Sequence, residues 1–260
     1  MKIKNPLLPL AACIALSACA AFSGCGARGY LYDNANTYSV GNAVITDAVT
    51  ELDVDWVGGN VEISYEEREG ISISETSEKK FSSSQTMRYS VEQGKLKIKY
   101  AKSGATNLKS LSKTLKIVLP AVDALKYCEV ETEAASVTVT GIKCRDFIFE
   151  SVSGDIDFTG AALHEFEAET VSGNVKANFS TLYYVSPFYA VDVETVSGDV
   201  ELIIGAEMPV ALKFGTVSGT HDWSGFDVVP STNGMYNING GGKPVTVNTV
   251  SGSFKLTKAS

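Results

Sequence analysis

The chain has little of what catalysis draws on. Two histidines and four arginines stand among 260 residues. His164 falls in a turn between repeats and His221 at a worn repeat position, and spacing implies a partner for neither. Arg28, Arg68, Arg88 and Arg145 are scattered. No phosphate loop, nucleophile elbow or Cys/His metal spacing occurs. The expectation is a non-enzyme with no catalytic residue, no metal and no other cofactor. Basic residues number 22 against 30 acidic ones, for a net charge of −8, so an exported chain of this kind is not expected to bind nucleic acid. Three of the five cysteines lie within the first 25 residues. Of the other two, Cys128 takes a core position and Cys144 a turn, and their spacing does not demand a disulfide.

What is present is repetition. Val-Ser-Gly occurs at Val152, Val171, Val196, Val217 and Val250, each time between two short runs of alternating apolar residues. Phe147 and Phe149 precede the first copy and Ile156 and Phe158 follow it; Val191 and Val193 precede the third, with Val200, Leu202 and Ile204 after it. Period-two alternation marks strands with one buried face, and recurrence every 19 to 33 residues marks one copied unit. Two worn copies extend the array upstream, through Cys128 to Val139 with Ala134-Ala135 in place of Ser-Gly, and through Leu52 to Tyr65 around Val57-Gly58-Gly59. Strands are also expected on either side of Gln93-Gly94 and over Leu115 to Leu119.

The buried parity changes at each tripeptide, so the chain turns there, and glycine is expected to supply a positive φ. Two all-β architectures satisfy this pattern. In a β-solenoid, or β-helix, of stacked rungs about 20 residues long, each tripeptide is a corner and rungs stack about 4.8 Å apart. In an antiparallel β-sandwich each Ser-Gly is a hairpin loop. Identity of the corners favours the solenoid, because identical corners then lie on one another.

Lys2 and Lys4 precede an apolar stretch from Pro6 to Phe22, the pattern of an export signal. Cys19 follows Leu16-Ser17-Ala18 and Cys25 follows Phe22-Ser23-Gly24, both in the manner of a bacterial lipoprotein signal. The expected organisation is a signal peptide over 1–25 with Cys19 or Cys25 acylated, a tether over 26–47, and the strand-repeat domain over 48–260. The protein is then held at the cell surface by lipid.

Contact residues are sought in two places. The interval 180–190 carries Tyr183, Tyr184, Phe188 and Tyr189, and Trp223 lies beside a second insertion, an aromatic supply suited to gripping an extracellular protein or glycan. Residues 79–116 hold ten Lys or Arg against the single acid Glu92, and Lys95, Lys97 and Lys99 alternate on one strand face as a candidate contact for anionic lipid or wall polymer. Glu150, Glu169 and Glu194 recur in register before the corner, with Asp155, Asn174 and Asp199 after it.

The lipoprotein signal, Leu115 to Pro120 as Leu-x-Ile-x-Leu-Pro, and units such as Glu194 to Val200 resemble the bacterial putative-adhesin family of β-strand-repeat proteins, a class of unknown function. The resemblance spans roughly residues 45 to 258. It implies a β-helical fold and an envelope location, and the family has no established catalytic residues to carry over. The expected role is non-catalytic binding or scaffolding at the surface, with an envelope-stress or regulatory accessory contacting anionic lipid or wall polymer as the alternative.

Overall fold

The computed structural model describes residues 30–180 and 188–259. Nearly every ordered segment is a strand, and the repeats pair in parallel. Phe147 to Ser151 lie beside Phe166 to Thr170, which lie beside Val191 to Thr195, residue for residue. The strands after the corners stack likewise, Ile156 against Val175 and Val175 against Val200. The fold is a β-solenoid, and the antiparallel hairpin sandwich is excluded.

The corner motif is explained by contacts within and between rungs. The hydroxyl before each tripeptide accepts the amide N–H of its glycine, at 2.8 Å for Ser151 and Gly154 and 2.9 Å for Thr195 and Gly198. The serine hydroxyl donates to a carbonyl of the neighbouring rung, Ser172 to Val152 at 3.3 Å and Ser197 to Val171 at 3.3 Å. The glycine is required for a reason the sequence reading missed. None of Gly154, Gly173, Gly198, Gly219 and Gly252 has positive φ; among the corner glycines that conformation belongs to Gly59, at φ 103°. A Cβ on Gly173 would instead lie 2.0 Å from the carbonyl oxygen of Gly154, and one on Gly198 1.8 Å from that of Gly173. Backbone stacked at rung spacing leaves no volume for a methyl group.

Spatial order departs from chain order at both ends. The Val250 rung is inserted between the Val196 and Val217 rungs: Val245 to Thr249 pair with Val191 to Thr195 on one side, and Val245 to Asn248 with Leu212 to Gly215 on the other. At the opposite end Glu51–Tyr65 lies between Tyr127–Ser151 and the outer strands Lys95–Lys99 and Lys113–Leu119. Both ends are closed by antiparallel strands. Ile71–Thr76 covers Lys113–Leu119, Arg88–Glu92 covers Lys95–Lys99, and Met235–Ile238 covers Val210–Gly215, backed by Val228–Pro230. Such caps pair the edge strands that a parallel stack otherwise leaves open.

A phenylalanine column fills the middle of the stack. Phe158 packs on Phe147 at 4.8 Å and Phe166 at 4.9 Å, Phe166 on Phe179 at 5.3 Å, and Phe179 on Phe188 at 4.9 Å.

The segment expected as a tether is packed from Tyr30 onward. Tyr30 is 6% exposed, bridges to Ala105, and its hydroxyl accepts the N–H of Tyr100 at 3.1 Å. Tyr32 and Tyr38 continue the contact at 5.6 and 5.0 Å between rings. Ser39–Val40 and Ala43–Ile45 join the cap strands. The polar composition hid Tyr30 and Tyr32, which cover one end of the core, with Tyr38 packed on Tyr32.

Candidate functional site

One outward face is a carboxylate ladder. The parallel register places Glu150, Glu169 and Glu194 side by side, with Glu167 beside Asp192 two residues earlier on the same face. Burial raises Glu150, Glu167, Glu169 and Asp192, and neighbouring carboxylates raise them further. Glu131 is pushed up to about 7 by burial and then by Asp55 and Glu150; Glu169 to about 7 by burial and then Glu150; Asp192 to about 6 by burial and then Glu194. Glu150 and Glu167 move the same way for the same reasons. A carboxyl raised on folding binds its proton more tightly in the folded state. Its stabilisation is complete below the ordinary carboxylate pKa and is lost as pH rises through about 7. Melting is therefore expected at higher temperature at pH 5 than at pH 8, by roughly 2–4 °C for each kcal/mol, and Glu169→Gln should narrow the gap. Calorimetric scans at the two pH values check this.

The second column is a structural device. Asp155 Oδ1 accepts the N–H of Asn174 at 2.8 Å, Asn174 Oδ1 accepts that of Asp199 at 2.9 Å, and Asp199 Oδ1 accepts that of Ser253 at 2.7 Å. Each side chain holds the next rung by its backbone.

Lys95, Lys97 and Lys99 do not form an open basic face. Lys95 Nζ is 3.0 Å from Asp53 and 3.8 Å from Glu129, Lys99 Nζ is 3.6 Å from Asp55, and Lys97 Nζ is 3.8 Å from Glu92. For Lys95 and Lys99 the neighbouring strands bring acids that are distant in sequence, so these two lysines neutralise one end of the carboxylate ladder.

The aromatic candidates separate. Cys19, Cys25, Tyr183 and Tyr184 lie outside the described residues. Phe188, expected at a partner surface, is 1% exposed and ends the phenylalanine column. Trp223 is half-buried, stacked on His221 at 3.8 Å and packed on Tyr236 of the capping hairpin at 4.9 Å, so it closes the array. Tyr189 is 60% exposed. Alternation along Phe188–Thr195 turns Phe188 inward and leaves Tyr189 outside.

Around Tyr189 the turns of successive rungs meet at one corner. Leu163 is exposed there, the His164 ring lies parallel to that of Tyr189 at 6.1 Å, and Lys243 Nζ stands 5.5 Å from the Tyr189 ring. His164 Nδ1 is 2.6 Å from Asp146 Oδ1, and Glu165 pairs with Asp146 across the rungs. This grouping was missed in the sequence. The signal was the 19-residue offset, which puts Glu165 beside Asp146 with His164 as its chain neighbour. Beneath it Cys128 and Cys144 are buried free thiols, and burial pushes Cys144 up to about 12.

The chain is similar in structure to a putative cell adhesion protein from Clostridium sporogenes, at 14% identity and a TM-score of 0.52 over 85% of this chain and all of that one. It also aligns with a putative adhesin from Bacteroides fragilis, at 13% identity and a TM-score of 0.38, over 84% of this chain and 98% of that one. A putative lipid binding protein from Parabacteroides distasonis aligns at 12% identity and a TM-score of 0.32, over 86% of this chain and 97% of that one. No curated protein matches the chain. The first of these carries the likeness of fold. Residues 49–202, more than half of the chain, match the Toastrack DUF4097 model, and the protein belongs to that family.

Proposed function

We propose that the protein is an exported, lipid-anchored solenoid that holds an extracellular protein or glycan without chemistry, at the corner around Tyr189. The observation that carries this reading is an exposed tyrosine at the edge of a packed rung. Tyr189 is 60% exposed and Leu163 beside it is 44% exposed; Tyr189 sits at a register irregularity between Phe188 and Ala190, and from Val191 onward its strand is paired on both edges. A large aromatic with few rotamers, fixed by a packed scaffold, loses little entropy on contact. The lipid signal at Cys19 or Cys25 supports attachment to the membrane, with the folded domain beginning by Tyr30. The accessory reading, contact with anionic polymer through Lys95, Lys97 and Lys99, is disfavoured because those charges are already paired.

The test is binding of the intact exported protein to arrayed extracellular proteins, glycans and anionic envelope polymers at low and high salt. Salt-resistant binding lost in Tyr189→Ala supports the proposal. Binding confined to anionic polymers and abolished by salt would replace it with the accessory reading.

A further inference from the structure

Asp146, His164 and Glu165 offer one imidazole nitrogen and two carboxylate oxygens, all within 4.8 Å of one another. Two features of the fold bring them together. Asp146 and Glu165 are register partners on adjacent rungs, so their carboxyls leave the sheet side by side, and His164 immediately precedes Glu165. A register shift between Cys144 and Asp146 re-aims the turn at this point. Of the two Asp146 oxygens, Oδ2 lies 3.5 Å from Arg145 Nε and Oδ1 faces the His164 ring at 2.6 Å. The Asp146 side chain is 20% exposed and that of His164 51%, so a hydrated ion can reach the set from solvent.

We propose that this triad is a divalent metal site for a borderline cation, Zn²⁺ foremost. Two carboxylates and a neutral imidazole carry the charge that a dication needs. The nitrogen donor favours zinc over calcium or magnesium, which take oxygen ligands. Zinc bonds of about 2.0–2.2 Å require donor atoms a little over 3 Å apart. The observed separations, from 2.6 Å between His164 and Asp146 to at most 4.8 Å across the set, reach that spacing by side-chain rotation on the exposed side. Three ligands from the protein leave a position for water or for a donor on a bound molecule. The ion is taken up whether or not a partner is held at Tyr189.

The test is titration of the metal-free full-length protein with ZnCl2 by calorimetry, with CaCl2 and MgCl2 as comparisons and no partner present. The expected result is one saturable Zn²⁺ site, not filled by Ca²⁺ or Mg²⁺ at matched concentration. His164→Ala should weaken it at least about ten-fold, the cost even of losing a hydrogen-bond partner of a ligand. Glu165→Gln should weaken it as well, and Glu169→Gln on the carboxylate ladder should leave it unchanged. Cobalt in place of zinc should give a visible absorption that His164→Ala abolishes while its circular dichroism stays that of the parent. Absence of saturable zinc uptake, or uptake indifferent to His164→Ala in the folded variant, would overturn the proposal.

Discussion

Gly198→Ala costs the folded state at least about 3 kcal/mol, at the upper end of what overpacking ordinarily does. The new methyl carbon would lie 1.8 Å from the carbonyl oxygen of Gly173 and 3.0 Å from Thr195 Oγ1. Neither neighbour yields readily. Gly173 is held in the adjacent corner by its N–H bond to Thr170 Oγ1 at 2.9 Å, and Thr195 Oγ1 is the acceptor for Gly198 itself. To make room the two rungs would have to part at the corner. That strains the bonds from Val196 N to Thr170 O at 3.2 Å and from Ser197 N to Val171 O at 3.0 Å. The rung on the other side is stacked as closely, since a Cβ on Gly252 would lie 1.9 Å from the Gly198 carbonyl oxygen, and it is tied to this corner by the bond from Ser251 N to Val196 O at 3.0 Å. Gly205→Ala is the matched control, since a Cβ there meets nothing within 4 Å. Urea unfolding of the two variants decides the matter. Equal midpoints would show that rung packing does not require glycine at the corner.

The same corner marks how far sequence reading reached. The parity change across the tripeptide left solenoid and hairpin sandwich both open, and the identity of the recurring corners favoured the solenoid that the pairing shows. The role of glycine was misread as a matter of φ, because an excluded volume set by another rung has no local signature. Rung order was illegible for a related reason. Thr-Val-Ser-Gly at 216–219 and 249–252 presents the same edge, so either rung fits against Val196, and the choice lies in how the hairpin Val228–Pro230 and Met235–Ile238 routes the chain. Lys95 and Lys99 looked open for want of the strand bearing Asp53 and Asp55, about 40 residues upstream, which only the pairing supplies, while Lys97 meets the nearby Glu92. Tyr189 was legible as a candidate, and its neighbour Phe188 failed by one step of strand alternation. Asp146, His164 and Glu165 were visible only to a reader who carried polar residues through the 19-residue offset as well as apolar ones.

Replacing Lys113 or Glu75 alone is expected to cost about 3–5 kcal/mol, the range for leaving a buried charge without its partner. The Lys113 side chain is 0% exposed and that of Glu75 3%. Lys113 Nζ donates to Glu75 Oε2 at 2.6 Å, to the Gln85 carbonyl at 2.7 Å and to the Tyr100 carbonyl. The ammonium also stands 4.0 Å from the Tyr100 ring, 4.9 Å from Trp56 and 5.3 Å from Phe81. Aromatic faces favour a desolvated cation over a neutral chain of similar shape. Glu75 Oε1 accepts the Met87 N–H at 2.8 Å, so the carboxylate links its own strand, the lysine and the loop before Arg88–Glu92. This pair therefore fastens the antiparallel cap, Ile71–Thr76, to the first rungs of the stack. Lys113→Met leaves the carboxylate buried without its cation, and Glu75→Gln leaves the ammonium without its anion. The double variant Lys113→Met/Glu75→Gln removes both charges while Gln can still accept from Met87. It should be destabilised by clearly less than the two singles combined, with a coupling of about 1–3 kcal/mol. Additive losses in a double-mutant cycle of chemical denaturation would mean that the cap is held by its apolar contacts and that the charges contribute no more than their separate hydrogen bonds.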